Sequence, residues 1–294
     1  MKAALASGAN FWNGGELYGP KDANSLHLLH DYFARYPEDA DKVVLSIKGA
    51  IEPGTFTPTG DIAGITRSIE ECLKILDGKK KIDIFECARV DPKVPIEETV
   101  GYLAEFVKAG KIGGIGLSET AAATIRRAAS IHPIAAVEVE FSLLTTDIQT
   151  NDVASTCAEL EIPIIAYSPL GRGFLTGKIK SFNDVTEHHK FGPRFQEENF
   201  YKNLQLVETI NKVAEKKGCT PAQLAIGWVK AYSGTKGHPT IIPIPGATTV
   251  SRVQENTKDI NITAEELKEI DGILATMPVE GPRAPKFLAH LAFA

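Results

Sequence analysis

Short runs rich in valine, isoleucine and phenylalanine alternate along this chain with longer segments whose apolar residues have helical spacing. Consecutive parallel strands need a crossover connection, usually a helix, so this alternation is typical of strand–helix units on a parallel sheet. Seven runs have the length and composition of strands: residues 9–13, 43–48, 82–88, 112–117, 136–142, 162–167 and 240–244. The pattern predicts a single α/β domain over residues 1–294.

The segments between these runs predict helices. Ile62, Ile65 and Ile69 repeat at helical intervals and therefore share one face of a helix over residues 62–76. Two further helices have marked starts, because Thr220 is followed by Gln223 and Thr263 by Glu266 at the spacing of a capping box. The other helices are predicted at residues 24–35, 96–109, 120–130, 152–160, 203–217, 250–258 and 264–275.

Glycine spacing decides between two architectures of this kind, the doubly wound open sheet and the eightfold barrel. A dinucleotide-binding open sheet requires a Gly-x-Gly-x-x-Gly turn after its first strand. The candidates here, Gly113, Gly114 and Gly116, fall inside a predicted strand. The sequence therefore favours a (β/α)8 barrel, whose active site lies at the carboxyl ends of the strands.

Composition excludes several classes of partner. The net charge of −5 gives nucleic acid and anionic lipid no general attraction. No apolar run approaches the roughly 20 residues that span a bilayer, and the first residues lack the apolar stretch of a secretory signal. We expect a cytoplasmic protein, with the nucleus as a further location, that is a monomer or a weak homo-oligomer.

Neither the cysteines nor the histidines indicate a metal centre. The four cysteines lack CxxC and CxxH spacing and are expected to be reduced thiols. His188 and His189 are adjacent in a polar segment without a third ligand, and adjacent side chains rarely converge on one ion. No metal is expected.

Polar motifs mark several strand ends: 13–19 (NGGELYG), 45–49 (LSIKG), 85–91 (FECARVD), 166–173 (AYSPLGRG) and 244–249 (IPGATT). Together these segments resemble the aldo-keto reductases, and the similarity runs from Leu5 to about Ala275. Within that family, NGGE before the tyrosine and CARVD on the later strand are most similar to the fungal pyridoxal reductases.

The resemblance implies a reductase mechanism. In the family, NADPH delivers a hydride to a carbonyl carbon while a tyrosine hydroxyl protonates the oxygen and a lysine assists the proton. Tyr18 would be the acid and Lys48 its partner. A nearby ammonium lowers the pKa of a phenol, which at about 10 is otherwise a poor acid at neutral pH. The implied reaction is reduction of a small aldehyde, by the finer similarity pyridoxal to pyridoxine.

Two positions depart from the usual catalytic tetrad of the family. Asn13 stands where an aspartate normally pairs with the lysine, and Ala88 where a histidine normally orients the carbonyl. Without that carboxylate, we expect Lys48 to lose its proton more easily and to act more strongly on Tyr18. Ala88 is expected to open space for a substituted aromatic aldehyde such as pyridoxal, whereas strand alternation is expected to turn Arg89 away from that face.

The resemblance also assigns contacts to the cofactor. Tyr167 would stack on the nicotinamide, with Ser118 and Glu138 near its carboxamide. The other implied contacts are Ser168, Leu170, Gly171 and Arg172 at the pyrophosphate, Thr248 and Arg252 after Gly246 at the adenosine 2'-phosphate, and Glu255 and Asn256 at the adenine. Alternatively, Thr248 or Thr249 caps a helix and Arg252 is solvated. A cation in the first turn opposes the helix dipole, so bound phosphate explains Arg252 better.

A closed (β/α)8 barrel needs eight strands, and the sequence predicts seven. Met1 to Gly8 resemble the end of the first barrel helix, so the N-terminal hairpin and first strand are expected to be missing. We expect such an open barrel to expose strand edges and part of its apolar interior, which favours aggregation. Residues 191–200, in the connection 178–203, are expected to form either a substrate lid or a loop packed on the barrel rim.

Alternative functions stay open at this point. The leading hypothesis is NADPH-dependent reduction of pyridoxal. The alternatives are a reductase for other aldehydes or ketones, and a catalytically weak nucleotide-binding regulator or an inactive product on the same scaffold. Asn13 and Ala88 favour the last class, whereas Tyr18 together with Lys48 favours an enzyme.

Overall fold

The computed structural model describes all residues, 1–294, around one seven-stranded parallel sheet. Each strand pairs with the strand that follows it in the chain. The strands are β1 (Phe11–Gly15), β2 (Val44–Gly49), β3 (Ile84–Cys87), β4 (Ile115–Ser118), β5 (Ile134–Glu140), β6 (Ile164–Tyr167) and β7 (Ile241–Pro243). All seven predicted strands are confirmed, and with their intervening helices they form the predicted (β/α)8-type fold with seven strands present.

Eleven α-helices accompany the sheet. They are α1 (Lys2–Ala6), α2 (Ser25–Arg35), α3 (Ile62–Leu76), α4 (Ile96–Lys108), α5 (Ala122–Ala129), α6 (Val153–Glu159), α7 (Glu187–Lys190), α8 (Glu197–Lys217), α9 (Pro221–Ala231), α10 (Val250–Thr257) and α11 (Ala264–Thr276). Both predicted capping boxes are confirmed, at Thr220 and Thr263. None of the helices combines the length and the apolar composition needed to cross a membrane.

Helix α8 begins earlier than the sequence predicts, at Glu197 rather than at residue 203. Phe200 in its first turns is fully buried and stacks on Phe174 with 5.2 Å between ring centroids. Phe195, just before the helix, also packs against Phe174 at 5.5 Å. Burying these large aromatic surfaces stabilises the early start. Phe195 and Phe200 therefore pack on the barrel rim, while Phe191 in the same segment is exposed.

The two faces of the sheet differ in chemistry. Its outer face and the surrounding helices share a core of 53 buried residues. The inner face is apolar near the amino ends of the strands, where Ile84, Ala136 and Ile165 are buried together. Two residues further along, strand alternation places Glu86 and Glu138 on the same inner face. The polar groups of the interior therefore gather at the carboxyl ends.

The sheet is open between its first and last strands, because β1 and β7 pair only with β2 and β6. A groove of about 640 Å³ lies at this opening, with Phe11, Trp12 and Ile244 among its lining residues. Helix α1 contacts α10 beside the groove. Helices therefore bridge the opening, whereas the outer edges of β1 and β7 remain unpaired.

Candidate functional site

The carboxyl ends of the strands open into a cleft of about 780 Å³. Most of the residues singled out from the sequence line it: Asn13, Tyr18, Lys48, Glu138, Tyr167, Ser168, Leu170, Arg172, Gly246, Arg252, Glu255 and Asn256. The remaining four, Ala88, Ser118, Gly171 and Thr248, lie outside this lining. Residues from the segment after β6, such as Ile179 and His189, complete one wall.

Backbone register brings Tyr18 and Lys48 to the same corner of the cleft. Gly15 at the end of β1 is the register partner of Lys48 on β2. A Cβ atom at Gly15 would lie 2.9 Å from the Lys48 carbonyl oxygen and 3.2 Å from the Tyr18 ring, so glycine permits this close approach. The Lys48 Nζ atom lies 5.9 Å from the centre of the Tyr18 ring.

The surroundings of Tyr18 act on its acidity in opposite directions. The residue as a whole is 41% exposed, yet desolvation is the largest cause of a pKa that is raised above the ordinary value. The charge of Lys48 lowers this pKa, while Glu138 and Glu86 raise it. The net effect keeps the Tyr18 phenol protonated at neutral pH, so a proton is available in the cleft.

The expected effect of Asn13 on Lys48 is wrong, because two other carboxyl groups bind the lysine. Lys48 Nζ donates to Glu86 Oε1 at 3.1 Å and to Glu138 Oε1 at 2.5 Å. Burial lowers the pKa of Lys48, but the charges of Glu86 and Glu138 outweigh burial and raise it above the ordinary value. Lys48 is therefore harder to deprotonate, not easier.

Glu86 was absent from the residues singled out in the sequence, although a signal was available. It lies in the middle of the predicted strand over residues 82–88, two residues after Ile84, and side chains two apart on a strand face the same side. A glutamate in the middle of an otherwise apolar strand is almost never fully buried unless it is paired. Its partner Lys48 is 38 positions away and could be found only from the register of β2 with β3.

The expected orientation of Arg89 is also wrong. Strand β3 ends at Cys87, so strand alternation does not extend to Arg89, which lines the cleft. Its Nη1 atom donates to the carbonyl oxygen of Ala88 at 2.5 Å. Ala88 is only 2% exposed. Ala88 is thus buried beside the cleft, outside its lining, and the Arg89 guanidinium lies next to it.

The segment after β6 has an unusual backbone. Ser168, Gly171, Arg172 and Gly173 all have positive φ, at 51°, 54°, 56° and 92°. Positive φ costs energy at the two residues that are not glycine, and such strain concentrates at binding sites. Backbone N–H groups in turns of this kind form concave anion-binding nests. The cationic side chain of Arg172 lines the cleft at the same place.

Ser118 lies at the carboxyl end of β4, opposite Glu138 on β5. Its hydroxyl is buried and has no hydrogen-bond partner. Buried polar groups are nearly always paired, so an unpaired hydroxyl beside a cleft marks a position where a ligand could bind. Tyr167 on β6 lines the same cleft.

Helix α10 begins at the far end of the cleft. Thr249 accepts a hydrogen bond from the Arg252 backbone N–H at 3.3 Å and so caps the helix. The Arg252 guanidinium donates to Thr248 Oγ1 at 3.1 Å and lines the cleft. Thr249 therefore caps the helix while the Arg252 guanidinium still faces the cleft.

A buried ion pair ties residues 279–294 to the barrel beside the cleft. The Arg283 guanidinium makes two hydrogen bonds to the Glu119 carboxylate, which is 1% exposed. Backbone bonds join Ala294 to Ala121 and to Glu119, at 3.0 and 3.2 Å. Sequence reasoning missed this contact because its partners lie 164 positions apart.

We expect Arg283→Met to lower the free energy of unfolding by about 3 to 5 kcal/mol, because it leaves the buried Glu119 charge without a partner. Urea unfolding measures this loss. The double variant Glu119→Gln/Arg283→Met removes both charges and is expected to recover most of the stability. An equal loss in both variants would show that packing, not charge, makes this contact important.

The sequence matches the family model described as the Aldo/keto reductase family over residues 1–275. "Probable pyridoxal reductase 2" of Schizosaccharomyces pombe is 43% identical over 298 aligned positions, which cover 98% of this chain and 88% of that protein. A Saccharomyces cerevisiae protein, whose name gives pyridoxal reductase as a provisional assignment, is 40% identical over 93% of this chain and 84% of its own length.

A solved glycerol dehydrogenase from Gluconobacter oxydans has a similar structure. The TM-score is 0.81 at 26% identity, and the match covers 98% of this chain and 87% of that one. Family model, relatives and fold agree. The chain belongs to the aldo/keto reductase family of oxidoreductases.

Proposed function

We propose that this chain reduces the aldehyde of pyridoxal to the alcohol of pyridoxine, with NADPH as the hydride donor. The observation that carries the proposal is the common cleft, which contains Tyr18 and Lys48 at one end and Arg252 at the other. Both relatives reported above are named, provisionally, as pyridoxal reductases. The volume of the cleft, about 780 Å³, is within the range of cofactor and substrate sites.

The residues of the cleft fit a nicotinamide dinucleotide. Tyr167 lines the cleft and offers a ring for stacking on the nicotinamide, and the buried Ser118 hydroxyl beside the cleft still lacks a hydrogen-bond partner. The positive-φ segment with Arg172 suits the pyrophosphate. Arg252 and Thr248 at the start of α10 suit a 2'-phosphate, since helix N-termini favour anions.

In this proposal, bound NADPH supplies the hydride. Tyr18 donates its hydroxyl proton to the carbonyl oxygen, and Lys48 stabilises the phenolate that results. The family's usual histidine has no counterpart, because Ala88 carries no hydrogen-bonding group. Arg89 lines the cleft next to Ala88 and offers a donor for an oxygen of the substrate. Pyridoxal has a ring hydroxyl beside its aldehyde, and the oxygen of that hydroxyl suits the Arg89 guanidinium as an acceptor.

Consumption of NADPH with a panel of aldehydes tests the proposal. We expect pyridoxal to have the highest kcat/KM of the panel, and we expect one molecule of pyridoxine to form for each NADPH consumed. Faster turnover of unrelated aldehydes would favour a reductase for other substrates. NADPH binding without turnover of any member would favour the nucleotide-binding regulator.

A further inference from the structure

Three charged side chains share the polar interior of the barrel below Tyr18. Lys48 contacts both Glu86 and Glu138, and the side chains of all three are only 2% to 3% exposed. Strand β4 lies between β3 and β5, and its Gly116 pairs with Glu86 in register. A Cβ atom there would lie 3.0 Å from the Glu86 Cβ. Glycine thus leaves room for the two glutamates to converge across β4.

Asn13 joins the two glutamates. Its Nδ2 atom donates to Glu138 Oε2 at 2.7 Å and to Glu86 Oε1 at 3.3 Å. An aspartate in this place would have no proton to donate and would add a third negative charge. The amide at position 13 and the two glutamates are therefore matched to each other.

The charge balance of this cluster requires a further proton. With Lys48 protonated and both glutamates ionised, the buried group would carry a net charge of −1. Uncompensated buried charge is costly, and interacting carboxyl groups retain a shared proton instead. Burial and the neighbouring Glu86 raise the pKa of Glu138, against the opposing effect of Lys48. Tyr18, the other titratable group facing the cluster, remains neutral.

We propose that Glu86 and Glu138 act as a pair that holds one proton, keeps Lys48 charged and returns a proton to Tyr18 through Lys48 after each reduction. The inference rests on the proposed roles of Tyr18 and Lys48. Both glutamates are positioning residues in this scheme, since neither needs to contact the substrate. The pair does what a single carboxylate at position 13 would do, and stores a proton in addition.

The O–H bond of Tyr18 breaks as its proton bonds to the oxygen of the reduced carbonyl. The Tyr18 phenolate then takes a proton from Lys48 Nζ, and Lys48 takes the proton shared by the two carboxyl groups. Solvent returns one proton to the pair after product leaves, because Glu138 and Lys48 both line the open cleft.

The first test is infrared spectroscopy of the protein without cofactor or substrate. At neutral pH we expect the carbonyl band of a buried protonated carboxyl group, absent from Glu86→Gln and from Glu138→Gln. Glu140→Gln is the matched control, because Glu140 is another buried glutamate of β5 but contacts Thr145 and Arg283. A band that survives both cluster substitutions, or disappears with Glu140→Gln, overturns the shared proton.

The second test exchanges the carboxyl positions. Contacting residues couple by factors of roughly 2 to 150. We therefore expect the kcat of Asn13→Asp/Glu86→Gln to exceed, by such a factor, the kcat expected if the effects of the two single substitutions simply multiplied. Asn13→Asp alone should lower both kcat and Tm, because it adds a third carboxylate. Independent effects of the two substitutions overturn the pairing, and circular dichroism establishes that each variant folds.

The third test is the pH profile of kcat. The wild-type rate should fall as pH rises through the raised pKa of Glu138, because the stored proton is then lost. Glu138→Gln should lower kcat, leave KM for the aldehyde nearly unchanged and remove this alkaline decline, since an amide has no proton to lose there. An unchanged profile overturns the relay. If the glutamate variants lose the infrared band but the wild-type protein turns over no aldehyde, the shared proton is supported and the proposed function is overturned.

Discussion

Replacing Tyr18 by phenylalanine is expected to lower kcat for pyridoxal reduction by about 10²- to 10⁴-fold, the usual contribution of a general acid. The substitution removes only the hydroxyl oxygen. Tyr18 is 41% exposed at the mouth of the cleft, so the barrel core does not depend on it. The affinity for NADPH, measured by quenching of protein fluorescence, should therefore stay nearly constant while turnover collapses.

Tyr201→Phe is the matched control for this experiment. Tyr201 is also exposed, at 49%, but it lies on α8 and does not line the cleft. Its variant should retain wild-type kcat and unfolding temperature. Unchanged turnover in Tyr18→Phe would mean that another group in the cleft, such as Lys48, or solvent donates the proton.

Arg252→Ala has the second-largest expected effect, and it is selective between cofactors. A charge-assisted hydrogen bond to phosphate contributes about 1.5 to 3 kcal/mol, or roughly 10- to 150-fold in Kd. NADPH carries the 2'-phosphate and NADH does not. We therefore expect the Kd of NADPH to rise within that range and the Kd of NADH to change little, as measured by fluorescence titration at fixed ionic strength.

The helix cap provides the control for Arg252. Thr249→Ala removes the hydroxyl that accepts the Arg252 N–H and destabilises the start of α10, at a typical cost of about 1 kcal/mol. That variant should weaken both cofactors by similar factors. If Arg252→Ala also weakens both equally, the side chain supports its helix and does not recognise the phosphate.

Local patterns in the sequence were sufficient to predict most of the fold. Strand runs, helical stripes and the capping boxes at Thr220 and Thr263 depend on residues a few positions apart, and the structure confirms them. The start of α8 was missed because burial of Phe200, a tertiary contact, extends the helix beyond its local signals. Propensity is a weak guide where packing decides.

The site was predictable to a lesser extent. Residues placed by motif, such as Tyr18 and Lys48, line the cleft together. The charge state of Lys48 was predicted in the wrong direction, because reasoning from Asn13 alone omitted Glu86 and Glu138. These contacts depend on the register of β2, β3 and β5, which no local pattern encodes. The pKa of a buried group depends on all the charges around it, and the absence of one carboxylate does not determine it alone.

Consecutive pairing of the strands determines which part of this molecule opens most readily. The amides of β1 and β7 have a neighbouring strand on one side only, whereas β3, β4 and β5 are flanked on both sides. Segments with fewer contacts exchange their hydrogens through local openings that cost less than global unfolding. Tyr18 follows the edge strand β1, while Glu86 and Glu138 lie on the protected central strands. On warming, Tyr18, the proposed proton donor, would therefore lose its alignment while Glu86 and Glu138 are still in place, and heat inactivation would precede cooperative melting.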